Sequence, residues 1–348
     1  MDEPGLEEKM KTAVYYNNSD VRIEDQPKPE ISTNEILVKM SSAGICGSDV
    51  LEWYRVKTAP RVLGHEITGI IEEVGANVSK YQKGQRVFVS HHVPCENCHY
   101  CKFGNETACK TLHTTNYHPG GFSEYIQVPE QNVKNGVFVL PDEISDNEGT
   151  LIEPLACTVR AQRIAGMQTG KSVLVIGSGV AGLLHVKLAK SNGASKVFAT
   201  DINDFRLQKA KEFGADEAFN ANDFTLEKLK QANNNLLADI VILCTAAESA
   251  VAQAVDSIEK GGTLMFFAVP DPDKKIEFPM SKFWRDSITL TTSYAGAPKD
   301  IAEAIELIKS KKVVVSDLIT HELALEKAQE GFELVAKAQD SLKVILKA

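Results

Sequence analysis

Residues 172–201 carry the pattern that most restricts the fold of this chain. The apolar run Ser172–Ile176 leads into the turn Gly-Ser-Gly-Val-Ala-Gly at 177–182, which opens a helical segment, and a second apolar run follows at 196–200. A strand, a glycine-rich turn and a helix in this order form one unit of a parallel, doubly wound sheet. The alternation continues with a strand at 239–244, a helix at about 248–259 and a strand at 262–268, so the pattern predicts an α/β sheet of several such units.

The glycine turn also predicts a dinucleotide site. Its glycines permit a tight turn and a close approach to a pyrophosphate, which the helix N-terminus would hold with backbone N–H groups. Asp201 ends the second strand, where a carboxylate binds both ribose hydroxyls and would repel a 2'-phosphate, so NAD(H) is favoured over NADP(H). The alternative is a tight turn that binds nothing. Arg206 would weaken the preference for NAD(H). The predicted cofactor-binding residues are Gly177, Gly179, Val180, Ala181, Gly182, Asp201 and Arg206.

Four of the seven cysteines lie close together in the segment near residues 94–110, with the spacing C-x2-C-x2-C-x7-C. Thiols at CxxC spacing in a reducing compartment are better explained as metal ligands than as disulfides. Four thiolates complete the tetrahedral shell of a structural zinc ion, although the spacing alone also allows an iron–sulfur cluster. The predicted structural zinc ligands are Cys95, Cys98, Cys101 and Cys109.

A second group of residues has the chemistry of a catalytic zinc site. Cys46, His65, Glu66 and Glu153 offer a thiolate, an imidazole and carboxylates, and three protein ligands would leave one coordination position open for a substrate oxygen. Each residue also has an ordinary structural explanation, such as a core thiol, a hydrogen-bonded histidine or a carboxylate at a helix start.

Length and charge limit the remaining possibilities. At about 150 residues per domain, 348 residues predict two domains, the first built of short strands and turns up to about residue 141 and preceded by an extension at 1–9. The net charge of −9, from 38 basic and 47 acidic residues, argues against nucleic acid and anionic membranes as partners. The chain shows no secretory signal or membrane-length apolar run, so we expect a cytoplasmic protein.

Residues 64–78, GHEITGIIEEVGANV, resemble the signature of the zinc-dependent medium-chain dehydrogenases, and the resemblance extends from Met10 to the C-terminus. It implies a GroES-like catalytic domain of residues 10–155 and 295–348, with a structural zinc lobe near 94–110. Residues 156–294 would form a Rossmann NAD-binding domain. The resemblance also implies two zinc ions per chain and a homodimer or homotetramer.

The resemblance assigns roles to individual residues. Cys46 and His65 would bind the catalytic zinc, and Glu66 is a ligand or exchanges with water in the polyol dehydrogenase branch. Glu153 stands where other branches place a second cysteine, in a context similar to sorbitol (L-iditol) and threonine dehydrogenases. Ser48 matches the hydroxyl that hydrogen-bonds the substrate oxygen and begins a proton relay.

The chain also departs from the family pattern. The loop at 53–56 is expected to be reshaped, and Leu51 stands where many relatives have a relay histidine. Ser293 replaces an arginine of sorbitol dehydrogenases, which weakens the case for sorbitol itself. The predicted substrate-binding residues are Ser48, Glu52, Tyr54 and Tyr294.

The implied activity is hydride transfer between NAD and a secondary alcohol, with a polyol, cyclitol or sugar alcohol as the small-molecule substrate. An L-threonine or amino-alcohol dehydrogenase of the same superfamily is the nearest alternative. A nucleotide-binding redox sensor that has lost turnover is a more distant one.

Overall fold

The computed structural model describes residues 8–268 and 273–348, which form two compact units. The N-terminal unit contains the described residues up to Glu153 together with Ala297–Lys309 and Val315–Ala348. The central unit contains Pro154–Gly296 and Ser310–Val314. Residues 1–7 of the predicted extension lie outside the described residues, and Lys9 already belongs to the first strand.

The strands of the described residues are β1 (Lys9–Asn17), β2 (Asp20–Pro27), β3 (Ile36–Ile45), β4 (Arg61–Val62), β5 (Glu66–Val74), β6 (Arg86–Val89), β7 (Tyr125–Val128), β8 (Val137–Val139), β9 (Ser172–Ile176), β10 (Lys196–Asp201), β11 (Glu217–Asn220), β12 (Ala238–Leu243), β13 (Ile258–Phe266), β14 (Thr289–Thr292), β15 (Ile319–Ala324) and β16 (Lys343–Lys347).

The α-helices of the same residues are α1 (Glu52–Arg55), α2 (His99–Lys102), α3 (Lys110–Thr114), α4 (Glu130–Asn135), α5 (Asp146–Gly149), α6 (Ile152–Ile164), α7 (Val180–Ser191), α8 (Asp204–Glu212), α9 (Leu226–Ala232), α10 (Glu248–Asp256), α11 (Met280–Asp286), α12 (Pro298–Lys309) and α13 (Ala328–Lys337). Among the described residues, every helix is too short or too polar to cross a membrane.

The N-terminal unit is built on a sheet with the order β15-β16-β3-β5-β6-β8, with β7 also paired to β3, and on a smaller sheet β2-β1-β4. The final strand β16 lies antiparallel to β3, with Val344 opposite Ile45. This pairing places the last strand of the chain in the sheet of the N-terminal unit. It also brings the C-terminal strand next to the end of β3, where Cys46 follows.

The central unit contains a parallel sheet with the strand order β11-β10-β9-β12-β13-β14. All five residues of β9 are buried, because a parallel strand at the centre of a doubly wound sheet is covered on both faces. The glycine turn at 177–182 follows the carboxyl end of this strand. The sheet confirms the predicted α/β fold class.

Two local features differ from the sequence prediction. Strand β11 was not predicted, because its residues Glu217–Asn220 are only half-buried or exposed at the sheet edge and lack an apolar alternation. The helix predicted over 248–259 ends at Asp256, and β13 begins at Ile258 rather than at 262. The strand runs through Gly261, whose φ of 70° only glycine adopts easily, so the glycine pair marks a bend within the strand rather than its start.

Candidate active site

The cysteine cluster forms a compact group of four sulfur atoms, all within 4.8 Å of one another. Cys98 precedes α2 and Cys109 precedes α3, so two short helices direct their thiols into one loop. The Sγ atoms of Cys98 and Cys101 are 3.5 Å apart, and those of Cys95 and Cys109 are 3.6 Å apart. Tetrahedral zinc–thiolate bonds require a spacing of about 3.8 Å, so the four sulfurs fit one zinc ion.

Backbone donors favour the thiolate form in this lobe. The N–H of Cys95 donates to Cys109 Sγ over 3.4 Å. Burial works against the Cys109 thiolate, but N–H groups of Cys95 and Leu112 outweigh it and lower the pKa of Cys109 to about 6. A thiolate is the form that binds metal, so Cys109 is electrostatically prepared to bind a cation.

A second group of donor atoms lies at the ends of β3 and β5. One ligand atom each from Cys46, His65 and Glu66 lies within 4.8 Å of the others. The β3–β5 pairing places Gly44 opposite Glu66, and a Cβ atom at Gly44 would lie only 2.3 Å from Glu66 Oε2. Glycine at position 44 therefore leaves the room that the Glu66 carboxylate occupies.

The Glu66 carboxylate is fully buried and has one cationic partner. Lys343 Nζ lies 2.5 Å from Glu66 Oε2 and 3.4 Å from the carbonyl of Ile45. The side chains of Glu66 and Lys343 are 0% and 2% exposed. Burial disfavours the Lys343 ammonium, but the charge and hydrogen bond of Glu66 together with the charges of Cys46 and Glu153 outweigh burial and raise the pKa of Lys343.

The other carboxylate oxygen of Glu66 provides a direct test of the metal hypothesis. Glu66 Oε1 is buried and has no hydrogen-bond partner among the described residues. Buried carboxylate oxygens are normally paired with donors or metal ions, because desolvation without compensation is costly. Together with the neighbouring thiol of Cys46 and imidazole of His65, this unpartnered oxygen fits a zinc ion.

Asp49 supports the imidazole and the start of the turn after Cys46. The Asp49 carboxylate is fully buried; Oδ2 accepts from the N–H of Cys46 over 3.1 Å, and Oδ1 lies 3.5 Å from His65 Nδ1. Burial tends to raise the pKa of Asp49, but His65 and Arg55 hold it below its ordinary value. A carboxylate beside a metal-binding histidine fixes the orientation of the ring.

Glu153, the remaining predicted ligand, lies outside the group formed by Cys46, His65 and Glu66. It is half-buried in the first turn of α6, and its charge helps to raise the pKa of Lys343. The structure therefore places Glu153 in the electrostatic surroundings of the Glu66–Lys343 pair.

The predicted substrate-binding residues differ in their surroundings. The N–H of Ser48 donates to Cys46 Sγ over 3.4 Å. Glu52 accepts a hydrogen bond from the N–H of Asn18, and Tyr54 is 47% exposed with its ring beside Arg55. Tyr294 belongs to the central unit and is 51% exposed.

Sequence reasoning missed a pair of histidines beside the predicted metal ligands. The ring of His91 lies 4.9 Å from that of His65, and His92 lies 3.8 Å from His91. His91 Nδ1 is buried without a hydrogen-bond partner in the described part of the chain. Burial lowers the pKa of His91 well below its ordinary value and that of His92 to about 4, so both rings are neutral at pH 7. The adjacent histidines after β6 were the available signal.

Lys343, Asp49 and Arg55 were also not assigned roles from the sequence. The signal for Lys343 was a charged residue within the apolar strand that returns to the N-terminal unit. Asp49 and Arg55 belong to the segment after Cys46, where a carboxylate and a guanidinium are ordinary surface residues unless the fold buries them.

In the central unit, the glycine turn has the tight geometry that its sequence predicts. Gly177 has a φ of 91°, and a Cβ atom at Gly182 would lie 1.9 Å from the Gly177 carbonyl oxygen. Asp201 Oδ2 accepts from the N–H of Ser178 over 2.7 Å, which ties the end of β10 to the turn. Only glycine allows the start of α7 to approach the strand this closely.

A cavity of about 540 Å³ lies beside this turn. Of the predicted cofactor residues, its lining includes Gly177, Gly179, Asp201 and Arg206. Val180 and Ala181 form the first turn of α7, and Gly182 packs beneath the turn. Arg206 Nη1 lies 3.9 Å from Asp201 Oδ2, so a positive charge does lie beside the carboxylate. The glycine backbone and the acidic residue fit the pyrophosphate and ribose of a dinucleotide.

Comparison with known proteins finds a matching family model in each half of the chain. Residues 32–142 match the alcohol dehydrogenase GroES-like domain, and residues 180–310 match the family described as zinc-binding dehydrogenase. The chain is 34% identical over 344 residues to sorbitol dehydrogenase from Ovis aries, covering 96% of this chain and 95% of that protein. This chain belongs to the zinc-binding dehydrogenase family.

Other members of the zinc-binding dehydrogenase family are similarly related. Probable D-xylulose reductase A from Aspergillus clavatus is 33% identical, with 94% of this chain and 93% of that protein covered. The structure of galactitol-1-phosphate dehydrogenase from Escherichia coli matches with a TM-score of 0.86 at 27% identity, covering 97% of this chain and all of the other. These matches confirm the family resemblance, the GroES-like and Rossmann fold class and the assignment as an oxidoreductase.

Proposed function

We propose that this zinc-binding dehydrogenase transfers a hydride between NAD and a secondary alcohol of a polyol, cyclitol or sugar alcohol. The observation that carries the proposal is the buried Glu66 Oε1, which lies beside the donor atoms of Cys46 and His65 and lacks a hydrogen-bond partner in residues 8–268 and 273–348. In this proposal residues 10–155 and 295–348 form the catalytic domain, and residues 156–294 form the NAD-binding domain.

Cys46, His65 and Glu66 would hold the catalytic zinc, with Glu153 available as a further carboxylate. When bound, zinc supplies a Lewis acid that lowers the pKa of an alcohol. Asp49 orients His65, whose Nδ1 lies 3.5 Å away. Ser48 would donate a hydrogen bond to the substrate oxygen.

The structural lobe and the dinucleotide site complete the proposed enzyme. Cys95, Cys98, Cys101 and Cys109 would hold a second zinc ion, for which their sulfur spacing is suitable. The glycine turn would bind the pyrophosphate of NAD, and Asp201 would bind the adenosine ribose. The Arg206 guanidinium beside Asp201 offers a favourable site for a 2'-phosphate and would limit the preference for NAD.

The proposed substrate class is supported by the names of the relatives and by exposed polar side chains of this chain. The names of the relatives refer to sorbitol, D-xylulose and galactitol 1-phosphate, which are polyols or their keto products. We propose that Glu52, Tyr54 and Tyr294 contact the hydroxyl groups of the substrate. Glu52 and Tyr294 are exposed and can accept or donate hydrogen bonds to a polyhydroxylated molecule.

We further propose that the protein is a cytoplasmic homodimer or homotetramer. Strand β14 forms one edge of the six-stranded sheet; its Leu290 is 42% exposed, and Trp284 in the preceding helix α11 is 82% exposed. An exposed sheet edge with apolar side chains supports pairing with a second copy of the chain.

Zinc content and substrate oxidation test the function together. Purified protein is expected to contain two zinc ions per chain by plasma mass spectrometry and to form NADH with one or more of sorbitol, inositol and butanediol, with threonine added to the panel to test the amino-alcohol alternative. Cys46→Ser should abolish turnover while NADH binding, measured by fluorescence, stays nearly unchanged. Cys157→Ser, which changes a cysteine outside both groups, is the matched control.

Three results would contradict the proposal. Full activity of Cys46→Ser would exclude the thiol as a ligand, and a loss of NADH affinity in parallel with activity would contradict separate sites. Reduction of NAD with threonine alone would favour the amino-alcohol alternative.

A further inference from the structure

Helix α1 carries an arginine whose side chain turns back to the residues that follow Cys46. Arg55 Nε donates to the carbonyl of Ser48 over 2.9 Å, and Nη2 donates to Ser48 Oγ over 3.1 Å. Nη2 also lies 3.3 Å from Asp49 Oδ1. The side chain of Arg55 is 14% exposed, although the other residues of α1 are exposed. One guanidinium therefore contacts both the residue proposed to bind the substrate oxygen and the carboxylate beside His65.

The contact to Ser48 decides how its hydroxyl can be used. A guanidinium offers only N–H donors, so Arg55 must occupy a lone pair of Ser48 Oγ. The single hydroxyl hydrogen of Ser48 cannot point to Arg55, and residues 8–268 and 273–348 provide no hydrogen-bond acceptor for it. Ser48 is half-buried, so this hydrogen is left to donate to a ligand oxygen.

The shape of the guanidinium is as important as its charge. Nε and Nη2 contact the backbone carbonyl and the hydroxyl of the same serine, which requires two donors held in one plane. A lysine ammonium preserves the charge near Asp49 but cannot reproduce this two-point contact. A guanidinium has no acceptor atom that could take up a proton, so Arg55 does not replace the missing relay histidine at Leu51 as a proton carrier.

We propose that Arg55 is a positioning residue that holds Ser48 with its hydroxyl directed as a donor to the substrate oxygen. This role rests on the proposed function and adds a residue to it. Arg55 acts through Ser48, and its second contact, to Asp49, keeps the turn in place beside His65.

The first experiment measures the coupling between the two residues. Arg55→Met should lower kcat by about 10- to 100-fold, as expected for the loss of a charge-assisted hydrogen bond, and leave the KM for NAD unchanged. In a Ser48→Ala background the same substitution should change kcat by less than about threefold, because the group that it positions is absent. Arg55→Lys should resemble Arg55→Met rather than the wild type.

Lys57→Met is the matched control, since Lys57 is an exposed cation of the same loop that lies over the Trp53 ring. It should change kcat by less than about twofold. Thermal unfolding and zinc content of every variant show whether the protein is folded and loaded.

A second measurement does not depend on turnover or on the methionine variant. Dimethyl sulfoxide carries a strong acceptor oxygen and is not reduced by hydride, so its binding in the presence of NADH reports on the hydroxyl donor. Its dissociation constant, followed by NADH fluorescence, should rise in Ser48→Ala and Arg55→Lys by similar factors. Added guanidinium chloride should restore part of the kcat of Arg55→Ala, while sodium chloride at equal concentration should not.

The outcomes separate this role from the proposed function. If the wild type forms no NADH with any alcohol of the panel, the proposed function fails and this role with it. If the wild type is active but Arg55→Met is equally harmful with and without Ser48, or if Arg55→Lys binds dimethyl sulfoxide like the wild type, only the role of Arg55 is overturned.

Discussion

The buried pair of Lys343 and Glu66 leads to a stability prediction that requires no substrate. Lys343→Met removes the ammonium and preserves most of the length of the side chain. The Glu66 carboxylate then has no partner among the described residues. Oε2 loses its contact of 2.5 Å with Lys343 Nζ, and Oε1 has no partner in the wild type either. Since both side chains are almost completely buried, water cannot replace the lost partner.

The expected cost follows from this burial. Breaking a buried ion pair by removing one member costs about 3–5 kcal/mol, because the remaining charge is left desolvated. Glu66→Gln together with Lys343→Met removes both charges and leaves only a neutral amide, for which a cost of about 1–3 kcal/mol is expected. Bound zinc would partly neutralise Glu66, so the cost of Lys343→Met should be smaller in zinc-loaded protein than in chelator-treated protein.

Urea unfolding followed by circular dichroism measures these free energies, with the wild type treated identically as the reference. Lys347→Met is the matched control, because Lys347 lies on the same strand and donates to Asn147 Oδ1 over 3.0 Å near the surface. Its substitution should cost about 1 kcal/mol or less. Equal losses for the two lysine variants, or a double variant less stable than Lys343→Met, would refute the reasoning.

Three further predictions concern the other sites. Cys98→Ser should remove one zinc ion per chain and lower the unfolding temperature, since structural zinc stabilises its lobe; unchanged stability with one zinc lost would contradict this role. Asp201→Ala should increase the use of NADP relative to NAD, and an unchanged ratio of kcat/KM values would show that the carboxylate does not contact the ribose. Burial lowers the pKa of His185 to about 3. As the pH falls below about 6.5, the unfolded chain therefore binds a proton at His185, while the folded chain keeps the imidazole neutral. His185 should cost about 2 kcal/mol of stability between pH 7 and 5, and His185→Leu should abolish that loss in urea titrations.

Local spacing was sufficient to predict much of this protein. The strand and glycine turn at 172–182 predicted a parallel sheet, because only a βα unit with that spacing uses a tight turn in this way. The four cysteines of the lobe are close in sequence, so a short loop is enough to bring their sulfurs together. Cys46, His65 and Glu66 could be grouped without coordinates because a thiolate, an imidazole and a carboxylate together suit zinc, and the pairing of β3 with β5 brings them together.

Strand bounds in the central unit were harder to predict. Edge strand β11 is half-exposed and has no apolar alternation, so its existence depends on pairing with β10. The start of β13 at Ile258 is determined by pairing with Ala238, a contact that residue patterns do not encode.

The sequence alone determined which atoms could bind a metal and a dinucleotide, because donor type and short-range spacing are properties of the chain itself. The tertiary structure decided which charges accompany those atoms. Lys343 reaches Glu66 only because β16 pairs with β3, and Arg55 reaches Ser48 only because α1 folds back over the turn. Burial is a property of the packed unit. Because Lys343 and Arg55 lie beside buried carboxylates, removing either cation would leave a buried charge without that partner and lower the stability of the folded protein.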